Sequence, residues 1–190
     1  MKVVVAITGA SGSLYAQRLL QLLKEDAQGP HEVHVVLSSH AREVAQAETD
    51  GLPIPDGFQV HGDGSMQVPF VSGSARFDAM VIIPCSMGTL GRIAHGYSDS
   101  TIARAADVFL KERRRLIVVP RETPWNLIQA RNIVTLLEAG AEVIPAIPSF
   151  YHRPETVLEV IDTVVVRVLD HLGLKGGATR RWMEPEPPRD

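Results

Sequence analysis

The sequence predicts an α/β fold, a three-layer sandwich with a central parallel sheet. Short apolar runs rich in β-branched residues recur along the chain of 190 residues, and polar residues do not alternate within them. Such runs are typical of strands that are covered on both faces. Stretches with helical spacing separate the runs, and strand–helix alternation gives right-handed crossovers between parallel strands. The length suits one domain with a substantial core.

The predicted elements follow one another in chain order. The predicted strands are residues 3–7, 33–37, 79–83, 116–119 and 142–147, and the predicted helices are residues 14–25, 101–113, 125–139 and 154–172. Pro84, Pro120 and Pro148 follow three of the strands, where strand pairing is expected to stop. The segment 51–73, rich in Gly, Pro and Asp, is predicted to be a loop or flap. Residues 176–190 are predicted to form a C-terminal arm, in which Trp182 is expected to pack on a surface.

Composition and charge exclude several classes of protein. The chain is 45% hydrophobic and 22% charged, with a formal net charge of −3, which gives no electrostatic reason to expect nucleic acid or an anionic membrane as partner. The single cysteine suits a reducing compartment, and the apolar run near Met1 is too short for a signal peptide or a membrane span. We therefore expect a cytoplasmic protein. The seven histidines lack metal-ligand spacing, so no metal site is expected.

Two turns of small residues follow predicted strands. Residues 8–13 read Thr-Gly-Ala-Ser-Gly-Ser, and residues 84–89 read Pro-Cys-Ser-Met-Gly-Thr. A helix begins after each turn, so backbone N–H groups and the helix dipole favour a phosphate there, beyond the carboxyl ends of parallel strands. The alternative is that Ser11 or Ser13 and Ser86 are ordinary N-caps. Cys85 is more typical of a core residue than of a nucleophile.

A polar cluster follows the strand at 116–119. Arg121 and Glu122 are expected to share the sheet edge with the two turns, where an arginine can bind a phosphate and a glutamate can transfer protons. A surface ion pair is the alternative. Arg167 falls among valines of the last helix, where a charge is costly unless it is paired, binds a ligand or extends to solvent.

The motifs together resemble the UbiX family of flavin prenyltransferases, within the flavoprotein group that also contains cysteine decarboxylases. Eight short matches occur in the family's order: Gly9-Ala10-Ser11-Gly12, Glu48-Thr49-Asp50, Ser72-Gly73-Ser74, Pro84-Cys85-Ser86, Arg104-Ala105-Ala106-Asp107-Val108, Leu110-Lys111-Glu112-Arg113-Arg114, Pro120-Arg121-Glu122-Thr123-Pro124 and Phe150-Tyr151-His152-Arg153-Pro154. The resemblance implies a Rossmann/flavodoxin-like fold, with a single flavin-binding domain at residues 1–175 and FMN as a bound substrate.

The resemblance also implies roles for particular residues. The residues implied to hold FMN are Gly9, Ala10, Ser11, Ser38, Ser86, Met87, Gly88, Thr89 and Arg104. Those implied to bind the phosphate of dimethylallyl phosphate are Lys111, Arg121, Tyr151 and Arg167. Glu122 is expected to transfer a proton, with Ser11 close to the flavin N5 and Glu48 lining the site. The family forms large homo-oligomers, so we expect a dodecamer in which Trp182 closes a neighbouring subunit's site.

The implied reaction joins a dimethylallyl group to N5 and C6 of reduced FMN and releases phosphate. The product, prenylated FMN, would serve a UbiD-type decarboxylase in ubiquinone synthesis or aromatic acid metabolism. Met66 and Phe70 lie where some relatives carry an aromatic residue shortly before Ser72, which bears on how the prenyl tail is held. Two alternatives stay open: an FMN-dependent decarboxylase of a cysteinyl substrate, and a non-catalytic FMN-binding module. A nicotinamide oxidoreductase is disfavoured, since the second strand ends in Ser38 rather than an acidic residue.

Overall fold

The computed structural model describes residues 1–175 and contains one parallel sheet; the predicted arm at 176–190, with Trp182, lies outside the described residues. The strands are β1 (Lys2–Ile7), β2 (Glu32–Leu37), β3 (Gln59–Gly62), β4 (Ala79–Cys85), β5 (Arg115–Pro120) and β6 (Glu142–Val143). They pair in the order β3-β2-β1-β4-β5-β6, with every pair parallel. The direction of winding changes between β1 and β4, and a cleft for a ligand is expected beyond the carboxyl ends of those two strands.

Helices cover both faces of this sheet. They are α1 (Ser13–Glu25), α2 (Ser39–Thr49), α3 (Met87–Ala94), α4 (Thr101–Lys111), α5 (Leu127–Glu138) and α6 (Val157–Leu172). Apolar side chains of α1 and α6 form the core on one face, and those of α3, α4 and α5 form the core on the other. The predicted three-layer α/β sandwich is confirmed.

The continuous apolar runs arise because both faces of the inner strands are covered. In β1, Val3 and Val5 point into the core beneath α1 and α6, whereas Val4 and Ala6 point into the core beneath α3 and α4. All four of these side chains are fully buried. A strand with one solvated face would instead alternate between polar and apolar residues.

The structure corrects several predicted boundaries. Strand β4 continues through Pro84 to Cys85 and β5 continues to Pro120, so strand pairing does not stop before these prolines. The pairing of β4 with β5 shifts in register between Ile82 and Cys85. Strand β6 is shorter than predicted, at Glu142–Val143, although Ile144 N–H still donates to Val118 O. The last helix begins at Val157 rather than at 154.

The segment predicted as a flap is more ordered than expected. Residues 51–73 contain the edge strand β3 and a short 3₁₀ helix at Pro69–Val71. Phe70 is fully buried and packs edge-on against Phe77, so it belongs to the core, whereas Met66 is 46% exposed. Of these two side chains, Met66 is the one that the structure leaves accessible to a ligand.

A pair of stacked histidines joins the edge strand β3 to β2. His34 Nδ1 lies 3.0 Å from His61 Nε2, and Phe70 and Phe77 pack edge-on against the buried His34 ring. One nitrogen must donate and the other accept, so this hydrogen bond requires that at least one ring be neutral. Burial, and next the neighbouring His34, lower the pKa of His61.

We expect this pair to make the fold sensitive to acid. Because the pKa of His61 is lower in the folded chain than its usual value of about 6.5, the unfolded chain binds more protons below that pH. Stability should therefore fall as the pH drops from about 6.5 through the folded pKa. Urea unfolding at about pH 7.5 and about pH 5.5 measures the loss. His61→Gln should reduce it and His95→Gln, at an exposed histidine, should not; equal losses in both variants would contradict this account.

Candidate functional site

The side chain of Thr8 joins the ends of β1 and β4. Its hydroxyl donates to Pro84 O at 2.8 Å and accepts from Ser86 N–H at 2.7 Å, and its own N–H donates to Pro84 O at 3.2 Å. Thr8 is 2% exposed, so these bonds lie away from competing water. The two turns predicted from the sequence are therefore held side by side at the carboxyl edge of the sheet.

The neighbouring strands are tied to the same edge. Ser38 N–H donates to Ile7 O at 3.1 Å, and Arg121 N–H donates to Cys85 O at 3.2 Å. Arg121 Nε also donates to Ser11 O at 2.9 Å, which brings the end of β5 to the first turn. Arg121 therefore lies at the same sheet edge as the two turns, as predicted, and it contacts a residue of each: Ser11 in the first and Cys85 in the second.

A cleft of about 300 Å³ opens at this edge. Its lining residues are Gly9, Ser38, Ser39, His40, Asp63, Ser86, Thr89, Arg92, Asp99, Ser100 and Ala103. Ser38 caps α2 by accepting from Ala41 N–H, and Ser86 caps α3 by accepting from Thr89 N–H. Both helix N-termini therefore face the cleft, and their N–H groups and dipoles favour a bound anion.

The N-terminus of α1 is occupied by a side chain of the protein. The Glu48 carboxylate, on α2, accepts from Gly12 N–H at 3.0 Å and from Ser13 N–H at 2.9 Å. Partial burial acts to raise the pKa of Glu48, but hydrogen bonds from Ser11, Ser13 and Gly12 outweigh it and leave the pKa lowered. The N-cap of α1 is Gly12, with φ 114°, so neither Ser11 nor Ser13 is the N-cap considered in the sequence analysis.

The N-terminus of α4 is occupied in the same way. Asp63 Oδ1, beyond β3, accepts from Ile102 N–H at 2.7 Å, and Ser100 caps the helix from its own turn. Burial is the main reason that the pKa of Asp63 is raised. Within residues 1–175 no carboxylate occupies the N-termini of α2 and α3 in this way. Of these four helix ends, those of α2 and α3 are the ones that remain available to an anionic ligand.

Some of the predicted site residues lie away from this cleft within one chain. Lys111 ends α4 and pairs with Glu112 just before β5 begins, whereas Arg121 follows the other end of that strand, about 20 Å away at 3.3 Å per residue. Arg104 Nε donates to Val71 O and its guanidinium pairs with Asp107. The structure therefore does not bring Lys111 to Arg121, and Arg104, predicted to hold FMN, bonds Val71 and Asp107 instead.

Three further predicted residues are exposed at the surface. Glu122 follows Arg121, and its Oε1 accepts from Thr123 N–H at 3.0 Å. Tyr151 is 61% exposed, in the segment between β6 and α6, with its ring against His152. The side chain of Arg167 is 60% exposed and pairs with Asp170, so its charge extends from the apolar face of α6 to solvent.

The thiol of Cys85 lies in the core rather than in the cleft. Cys85 is fully buried among core side chains, and burial raises the pKa of its thiol, which disfavours the reactive thiolate. In the described part of the chain, no group of three or more His, Cys, Asp or Glu side chains is placed to hold a metal ion. Across the same residues no helix has the length and hydropathy of a membrane span.

Sequence reasoning gave no role to Thr8, His40, Asp63 and Arg92. The signal for Thr8 is its position, as the polar residue that ends a buried strand directly before a glycine. Asp63 caps a helix that begins 38 residues later, and no local pattern announces such a contact. His40 lies on α2, a helix that the sequence analysis did not predict because Ala41 and Ala45 are its buried residues and give a weak apolar periodicity.

The fold and the cleft define a doubly wound α/β protein with a cleft at the carboxyl edge of its sheet that suits an anionic ligand. The chain belongs to the flavoprotein family, whose model matches residues 1–170. It is 44% identical to the flavin prenyltransferase UbiX of Methanocaldococcus jannaschii, over 96% of this chain and 98% of that protein. It is 41% identical to UbiX of Pseudomonas aeruginosa, over 96% of this chain and 94% of that one. The predicted resemblance to the UbiX family is confirmed.

Solved structures of UbiX proteins also resemble this chain in fold and sequence. A UbiX crystal structure in complex with FMN and dimethylallyl pyrophosphate superposes with a TM-score of 0.91 at 40% identity, covering 97% of this chain and 98% of that one. A dodecameric FMN-dependent UbiX-like decarboxylase from Escherichia coli O157:H7 superposes with a TM-score of 0.89 at 40% identity, covering 97% and 100%. An FMN-dependent cysteine decarboxylase at 19% identity shares the fold.

Replacing Thr8 tests the bridge between the two turns. Thr8→Val keeps the shape but leaves the partly buried Ser86 N–H and the Pro84 carbonyl without the hydroxyl, so we expect a loss of roughly 1–3 kcal/mol in the free energy of unfolding. Thr8→Ser keeps the hydroxyl and is the matched control, with a smaller loss from the missing methyl group. Urea unfolding of both variants measures the difference. A valine variant as stable as the serine variant would show that the hydroxyl does not hold the turns together.

Proposed function

We propose that this chain is a flavin prenyltransferase that joins the dimethylallyl group of dimethylallyl phosphate to N5 and C6 of reduced FMN. The observation that carries the proposal is the anion cleft, because four of the residues that the family resemblance implies to hold FMN, Gly9, Ser38, Ser86 and Thr89, line it. Full-length identity of 41–44% to curated flavin prenyltransferases supports the assignment. The related structure that contains FMN and dimethylallyl pyrophosphate supports FMN and a dimethylallyl donor, and the monophosphate form of the donor stays a proposal.

The residues around the cleft fit the phosphate of FMN. Hydroxyls of Ser38, Ser86 and Thr89 stand at the two available helix N-termini, where N–H groups stabilise a phosphate. Gly9 lets the first turn approach closely, since a Cβ there would lie 2.4 Å from the Cβ of His40. Ser11, which bonds Arg121 through its carbonyl, is proposed to lie near the flavin ring.

The leaving phosphate of the prenyl donor needs positive charge. Cleavage of the allylic carbon–oxygen bond leaves negative charge on phosphate, which fixed cations stabilise in the transition state. Arg121, bonded to Ser11 at the sheet edge, is proposed to supply one cation, and Glu122 beside it is proposed to transfer the proton between phosphate and flavin. Glu48 is proposed to orient the first turn by holding Gly12 and Ser13.

Four predicted ligand-binding residues are proposed to reach a ligand only when subunits assemble into an oligomer. They are Lys111, Tyr151, Arg167 and Arg104. The dodecameric relative supports a homo-oligomer, proposed to be a dodecamer, in which a second subunit brings its Lys111 to this cleft. Exposed apolar residues next to Glu122 support such a contact: Trp125, Leu127 and Ile128 are 41%, 65% and 69% exposed. Trp182, outside the described residues, is proposed to close the site of a neighbour.

The product is proposed to pass to a UbiD-type decarboxylase in the cytoplasm. Family membership supports this recipient. The single cysteine suits a reducing compartment and supports the location.

The mass of the flavin tests the proposal directly. After anaerobic incubation of the purified protein with reduced FMN and dimethylallyl phosphate, we expect a released flavin that is heavier by one prenyl unit. Glu122→Gln should abolish or strongly reduce production, by roughly 100-fold or more if it transfers a proton. Glu25→Gln, at the far end of α1, is the matched control and should retain it. Bound flavin of unchanged mass would contradict prenyl transfer and favour an FMN-binding module.

A further inference from the structure

His40 is a cleft residue to which the proposed function assigns no task. It is the second residue of α2 and directly follows the turn at Ser38 and Ser39. Its side chain lines the cleft together with Ser86 and Thr89. The contact of its Cβ with Gly9 fixes the base of the side chain against the first turn. His40 is therefore held at the mouth of α2, beside the hydroxyls proposed to bind phosphate.

Among residues 1–175, the lining of the cleft lacks an unpaired positive charge, which a protonated His40 can supply. Besides His40, the charged side chains in the lining are Arg92, Asp63 and Asp99, which is one cation against two carboxylates. Arg92 Nε lies 3.3 Å from Asp99 Oδ2, so its charge is already paired. A doubly charged phosphate entering this cleft meets helix dipoles but no uncommitted cation among these three side chains.

The contact with Ser39 uses one nitrogen of the imidazole. Ser39 Oγ lies 3.3 Å from His40 Nδ1, so Nε2 is the ring nitrogen that this contact leaves to donate to a ligand. Histidine is the side chain that gains and loses its charge near neutral pH. When both ring nitrogens carry protons, Nδ1 donates to Ser39 and Nε2 is a charged donor.

We infer that protonated His40 is a further binding group for the phosphate of FMN and makes the hold on FMN dependent on pH. The inference rests on the proposed function, since it takes FMN as the ligand. The phosphate of FMN stays mainly doubly charged above its second pKa of about 6. Because a histidine side chain loses its charge as the pH rises through neutrality, we expect FMN affinity to fall with rising pH where the phosphate charge no longer changes.

Binding titrations at several pH values test this inference. The dissociation constants of FMN and of riboflavin, which lacks the phosphate, are measured for the full chain, for His40→Gln and for His95→Gln. For the full chain and for His95→Gln we expect FMN affinity to fall by about five- to tenfold from about pH 6.5 to about pH 8.5. His40→Gln should bind FMN weakly and evenly across this range. Riboflavin binding should be the same in all three proteins.

The outcomes separate this inference from the proposed function. A His40→Gln variant that keeps the full pH dependence of FMN binding would overturn the inference while leaving the proposed function intact. A variant that loses riboflavin and FMN equally would also overturn it, since the residue would then act by shaping the cleft rather than by binding phosphate. A full chain that binds no FMN at any pH would refute both.

Discussion

The Thr8 hydroxyl is the contact on which the geometry of the site depends. It lies where β1 and β4 end, and it satisfies a carbonyl of one turn and an N–H of the other in a place that water does not reach. Without it, the turns at residues 8–13 and 84–89 would meet through backbone contacts alone. Because Ser38 and Arg121 are bonded to the same strand ends, one buried hydroxyl indirectly positions four segments of chain.

A second constraint decides where an anion can bind. Carboxylates occupy the N-termini of two helices near this edge: Glu48 bonds the N-terminus of α1 and Asp63 bonds that of α4. These contacts disfavour a phosphate at the first turn, where glycine and serine alone would predict it, and favour the N-termini of α2 and α3. The first turn is free for another part of the ligand, which agrees with the proposal that Ser11 lies near the flavin ring.

The sequence predicted those features whose signals are local. Unbroken runs of β-branched residues predict buried strands such as β1, and the small residues after these runs predict the turns. The edge strand β3 was missed because its side chains are mostly exposed, and α2 because alanines carry its buried face. Contacts such as Glu48 with Gly12 join residues 36 apart, so no spacing rule contains them. The family resemblance predicted Glu48 as a site residue, and the structure shows that its carboxylate accepts from the N–H groups of Gly12 and Ser13.

A structure of this chain with FMN bound tests the central claim most directly. The claim is that the Thr8 bridge and the two carboxylate-filled helix ends direct the phosphate to α2 and α3. The account predicts the phosphate within hydrogen-bonding distance of Ser38, Ser86 and Thr89, with the Glu48 carboxylate still on Gly12. A phosphate bound at the N-terminus of α1, with Glu48 displaced, would contradict it.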